Sequence, residues 1–108
     1  MTVTNVVNRR FRRTLPALLD TGADITAIPQ SLLTILKLYP IAQLQLEEID
    51  GESTTVLMYA VRLTLGELVI PRQKIILTGL DFAVVGRDVL NLLTLHLYGP
   101  QLSFEIKP

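Results

Sequence analysis

Cysteine and tryptophan are absent from this 108-residue sequence, and histidine occurs once, at His96. Without cysteine there is no disulfide frame, no thiolate zinc site and no cysteine nucleophile. A single imidazole is too little for a histidine-based metal centre, so neither metal nor cofactor is expected. Neither sign of charge is in excess: ten basic residues balance ten acidic ones. That balance argues against a domain built to hold nucleic acid or an anionic membrane. No apolar run approaches the ~20 residues of a membrane span. Arg9, Arg10, Arg12 and Arg13 are not followed by the apolar segment of a signal peptide. The expectation is a cytoplasmic domain, or one excised from a longer precursor.

What is present is aliphatic: 49% of the chain is apolar, mostly Leu, Val and Ile. That composition excludes disorder and suits a single domain over residues 1–108 with one core. The pattern is a series of short β-type segments closed by turn signals. Thr2 to Val7 is β-branched, Asn8 to Arg13 reads as a hairpin turn with its flanks, and Thr14 to Leu19 follows. Ala42 to Glu48 alternates, with Leu44 and Leu46 on one face. Asp50-Gly51 is a two-residue hairpin signal, and Thr54 to Leu65 turns back through Gly66-Glu67 into Leu68 to Ile70. Lys74 to Leu77 and Phe82 to Val85 are further short strands. Two stretches suit helices: Pro29 to Leu36, with Pro at a tolerated first turn, and Asp88 to Leu92. Leu93 to Tyr98, a Gly99-Pro100 turn and Leu102 to Ile106 form a C-terminal hairpin. The fold class is mostly β with one or two short helices.

The sharpest feature is Ala17-Leu18-Leu19-Asp20-Thr21-Gly22-Ala23-Asp24. An acid directly after an apolar strand, followed by Thr and Gly, places a carboxylate at a buried strand end. The glycine lets backbone approach a substrate closely. An Asx turn that merely satisfies its own backbone gives the same local pattern. Further along, Phe82-Ala83-Val84-Val85-Gly86-Arg87-Asp88 is an apolar strand ending in Gly and passing into a helix, and the Asp50-Gly51 hairpin lies between the two.

Together these three motifs resemble the retropepsins, the retroviral-type aspartic proteases, from about Leu15 to Leu92. In layout the chain is most similar to stand-alone bacterial members and to gammaretroviral-type proteases. The protease-like domain of the DNA-damage-inducible ubiquitin shuttle proteins shares the C-terminal hairpin. The resemblance implies a closed β-barrel of the acid-protease type with a flap hairpin, assembled as a C2 homodimer. It makes Asp20 the catalytic aspartate, Thr21 the hydroxyl that locks the two active-site loops, and Gly22 the contact to substrate backbone. Ala23 and Asp24 flank the bound peptide, Ile49, Asp50 and Gly51 form the flap tip, and Val84 and Val85 line subsites. By the same analogy Gly86 lets the following helix pack beneath the active-site loop, and Arg87 and Asp24 form a buried or half-buried structural ion pair.

Aspartic peptidases need two carboxylates sharing one proton, one to draw a proton from water and one to polarise the scissile carbonyl. The sequence has one Asp-Thr-Gly, and Asp24, Asp50, Asp81 and Asp88 lack that setting. A two-fold axis would supply the second Asp20. Only 19 residues precede Asp20, so the C-terminal hairpin, burying Leu95, Leu97, Phe104 and Ile106, is the expected interface. Substrate is expected to be an extended peptide, with Leu18, Ile28, Ile49, Val84 and Val85 offering apolar subsites. The arginine-rich stretch reads as a solvated hairpin and His96 as a strand histidine. A protease-like module that grips peptides without cutting them is the alternative to an enzyme.

Overall fold

The computed structural model describes residues 1–47, 49–98 and 103–107. In chain order it contains β1 (Thr2–Asn5), β2 (Arg12–Thr14), β3 (Ala17–Leu19), β4 (Ala27–Pro29), α1 (Leu32–Ile35), β5 (Ala42–Glu47) and β6 (Ser53–Leu65). There follow β7 (Leu68–Thr78), β8 (Ala83–Val85), α2 (Arg87–Leu90), β9 (Thr94–Tyr98) and β10 (Ser103–Lys107). An eight-stranded sheet runs β2-β1-β6-β7-β4-β8-β3, with β5 attached to β6. The sheet curls into a half-barrel. Among the described residues its pairing ends at β2 and β3, so it is less than the closed barrel expected.

Strand β6 is the spine. Its first half pairs with β5 and its second half with β1, both antiparallel, while β7 runs along the other side. The β6–β7 turn is the two-residue Gly66-Glu67, with Leu65 opposite Leu68 and Gly66 at φ 60°. Expected as two pieces, β7 is one strand that passes straight through Pro71. The register shifts between Val61 and Leu63, so that Pro71 and Arg72 together oppose Arg62. Such a bulge is where a strand tolerates a residue with no N–H to donate.

Three boundaries differ from expectation for identifiable reasons. Pro29 does not open a helix; it ends β4, whose three residues are all buried and pair with β7 and β8. Helix α1 is therefore a single turn, closed by Lys37 at φ 53°. Thr14 to Leu19 is broken at Leu15-Pro16, because β2 belongs beside β1 and β3 beside β8. The Asp50-Gly51 hairpin carries a longer loop than two residues, since the last pair is Glu47 with Ser53.

The core lies between the curled sheet and the two helical turns. It holds Val3, Ile28, Leu36, Tyr59, Val61, Leu63, Ile75, Val85, Val89 and Leu90. Strands β9 and β10 pair with each other, Leu97 opposite Phe104 and Leu95 opposite Ile106. The side chains of that hairpin, the Gly99-Pro100 turn, Leu102 and Glu48 lie outside the described residues.

Candidate active site

Asp20 stands where β3 leaves the sheet. Parallel pairing of Leu18 with Val84 and Leu19 with Val85 carries on into Asp20, whose N–H donates to the Val85 carbonyl at 3.0 Å. Beyond it the chain turns tightly: Gly22 N–H donates to Asp20 Oδ1 at 2.8 Å and Ala23 N–H to the Asp20 carbonyl at 3.2 Å. The Asx turn is therefore real, and it leaves the second carboxylate oxygen without a partner among the described residues. Asp20 is half-buried, while Thr21, Gly22 and Asp24 are exposed and Ala23 is half-buried. The Thr21 hydroxyl makes no hydrogen bond among the described residues.

Gly86 fixes the loop from below. A Cβ there would sit 2.8 Å from the Ile25 carbonyl carbon, 2.9 Å from the Ala23 oxygen and 3.0 Å from the Ile25 nitrogen. Real Cβ atoms do not approach backbone so closely, so only glycine allows the start of α2 to press against the loop. Contact becomes hydrogen bonding directly afterwards: Arg87 N–H donates to the Ala23 carbonyl at 2.8 Å and Asp88 N–H to that of Asp24 at 3.3 Å.

A polar cluster missed in the sequence completes the anchorage. Thr26, fully buried, donates its hydroxyl to Asp88 Oδ1 at 2.7 Å and accepts from Gly86 N–H at 3.0 Å. The Asp88 carboxylate also accepts from the backbone N–H of Thr26 and of Val89, and from Gln73 Nε2 at 3.2 Å. Asp88 does sit in the first turn of α2, but its main work is to tie loop, helix and β7 together. The only local hint was a β-branched hydroxyl residue following Asp24-Ile25. Its partner lies 62 positions downstream, beyond the reach of any local pattern.

The aspartyl protease family model matches residues 5–96. The chain belongs to the aspartyl protease family. Its fold is retropepsin-like. The foamy viral protease-reverse transcriptase, solved in complex with an RNA/DNA hybrid, is similar with a TM-score of 0.58 and 18% identity. The match takes in 87% of this chain but 11% of that one, so the chain spans about a tenth of the foamy viral polypeptide. The EIAV protease, solved with an inhibitor, gives a TM-score of 0.51 and 24% identity over 71% of this chain and 74% of that one. No curated protein matches the sequence.

Within this protease fold the remaining expected residues fall into two groups. Leu18 is 52% exposed and, with Pro16, Ala17, Asp81 and Phe82, lines an open hollow of about 400 Å³. Val84 is half-buried. Ile49 projects fully into solvent from the β5–β6 loop, where Asp50 Oδ1 accepts from Glu52 N–H at 3.0 Å and Gly51 adopts φ 84°. Val85 and Ile28, by contrast, are fully buried members of the core and present no surface to a substrate. On β8 the alternation turns Val84 outward and Val85 inward, so only one of the two valines can face a ligand. Arg87 Nη2 does bridge to Asp24 Oδ1, but the side chains are 54% and 75% exposed in this chain. The pair is a surface one, not the buried or half-buried one expected, and contributes no more than ~1 kcal/mol.

Proposed function

We propose that this aspartyl protease cleaves extended, hydrophobic-rich peptide segments as a C2 homodimer, with Asp20 of each chain forming the catalytic pair. The observation that carries this reading is the single Asp20 loop, cinched by β8, Gly86 and the Thr26–Asp88 cluster and left with one carboxylate oxygen unpartnered. One such carboxylate cannot serve as both acid and base in the same step, so a second copy must face it across a two-fold axis. The ionised partner takes a proton from water while the protonated one polarises the carbonyl. Thr21 and Gly22 lie exposed beside Asp20, where a second loop and a peptide backbone would meet them. Leu18 and Val84 offer apolar contact on the floor, and Ile49, Asp50 and Gly51 close from the flap.

The test is cleavage of a denatured, apolar-rich protein from about pH 4 to 7, with Asp20→Asn in parallel. Wild-type activity should trace a bell in pH, because the pair works only while sharing one proton, and specific activity should fall on dilution. Asp20→Asn should be inactive yet still retain peptide. A folded dimer that binds peptide but never cuts it would favour the silent peptide-gripping module.

A further inference from the structure

Away from Asp20, the outer part of the sheet carries a concave polar face. Register places Arg12, Thr4 and Arg62 side by side across β2, β1 and β6, with Thr14, Thr2 and Thr64 on the neighbouring rung of the same face. Arg9 joins them from the β1–β2 turn. Arg9, Arg12 and Arg62, with Thr2, Thr4 and Thr64, line a cleft of about 360 Å³. The turn that delivers Arg9 is held in place: Asn5 Oδ1 accepts from Val7 and Asn8 N–H, Asn8 Oδ1 accepts from Arg10 N–H, and Asn5 N–H donates to the Phe11 carbonyl.

One feature of this cleft is unexplained by folding. The only ion pair among the described residues is Arg87–Asp24, so all three cleft guanidiniums lack a carboxylate there. In a chain of zero net charge, three uncompensated cations gathered in one hollow are a local excess. Thr4 is only 5% exposed and lines the cleft, and its hydroxyl, which makes no hydrogen bond among the described residues, reaches solvent through the cleft. The other buried threonine, Thr26, is fully engaged. A solvent-facing hydroxyl between two guanidiniums is a set of donors that a tetrahedral oxyanion fits.

We propose that this cleft binds a small, multiply charged phosphate compound of the pyrophosphate type. Arginine forks match paired phosphoryl oxygens, three positive charges match such an anion, and the threonine hydroxyls donate from the floor. The lining contains no aromatic side chain on which a nucleobase could stack, which favours a free phosphate over a nucleic-acid strand.

The experiment is calorimetric titration of the full chain with pyrophosphate, the ionic strength held constant with NaCl. Arg12→Gln, Arg62→Gln, Thr4→Val and Arg13→Gln are run alongside, each checked for folding by circular dichroism. Arg13 pairs with Val3 and so lies on the opposite face of β2. Saturable binding of one pyrophosphate per chain is expected, weakened about tenfold or more by either cleft arginine change and about threefold by Thr4→Val. Arg13→Gln should stay within about twofold of wild type. Absence of saturation at ~10 mM pyrophosphate, or equal weakening by Arg13→Gln, overturns the site. Tighter binding of a single-stranded oligonucleotide than of pyrophosphate overturns the assignment of the ligand.

Discussion

Replacing Gly86 by alanine tests how the Asp20 loop is held. The backbone at Gly86 has φ −88° and ψ −178°, which any residue adopts, so the substitution brings no conformational penalty. Its whole effect is the added methyl, which meets three backbone atoms of Ala23 and Ile25 at 2.8 to 3.0 Å. Backbone cannot rotate aside as a side-chain tip can, so loop and helix must part by roughly half an ångström to restore ordinary contact. That movement strains the Arg87–Ala23 and Gly86–Thr26 hydrogen bonds together. Overpacking of this kind costs about 2–3 kcal/mol, a fall of about 1–2 M in urea midpoint. Displacement of the carboxylate should lower kcat/KM by roughly ten- to a hundredfold even where the protein remains folded. Gly79→Ala is the control, since a Cβ there meets nothing within 4 Å. Urea titration and peptide cleavage of both variants decide the matter. A Gly86→Ala protein as stable and active as Gly79→Ala would refute the claim that this contact sets the loop.

Three further predictions separate anchorage from substrate contact. Thr26→Val keeps the shape but strands the buried Gly86 N–H and removes a donor to Asp88. It should cost about 2–3 kcal/mol by urea denaturation. Leu18→Ala, at an exposed position, should change stability by less than ~1 kcal/mol while raising KM for apolar peptides several-fold. Val85→Ala should do the reverse, costing about 1.5–3 kcal/mol with little effect on KM. Leu18 and Val85 variants shifting the same parameter would show that the facing of β3 and β8 has been misassigned.

What the sequence revealed and what it concealed divide along the range of the interactions. Local chemistry was legible: Gly66-Glu67 as a tight turn, the alternation of Ala42 to Glu47, and Asp20 at the end of an apolar strand. Pairings made across the chain were not. Strand β4 is three buried residues whose partners are β7 and β8, so it shows no alternation, and its proline imitates a helix start. Pro71 looked like a strand end because the bulge that accommodates it depends on Arg62 in another strand. Val84 and Val85 are equally apolar, and only the core that Val85 shares with Ile28 and Val89 decides which one is interior. Asp24 and Arg87 were rightly joined as a pair, yet their exposure depends on what lies around them rather than on their identities.

The parallel pairing of β3 with β8 also bears on when the Asp20 loop takes its shape. Residues 17–19 find their partners at 83–85, a long loop to close, and contacts of such separation form only after much chain entropy has been lost. During synthesis, Asp20 emerges from the ribosome well before Val85, Gly86 and Asp88 exist to hold it. A nascent or truncated chain therefore carries the Asp20 carboxylate without its geometry, and the loop takes its shape only once Val85, Gly86 and Asp88 have been made.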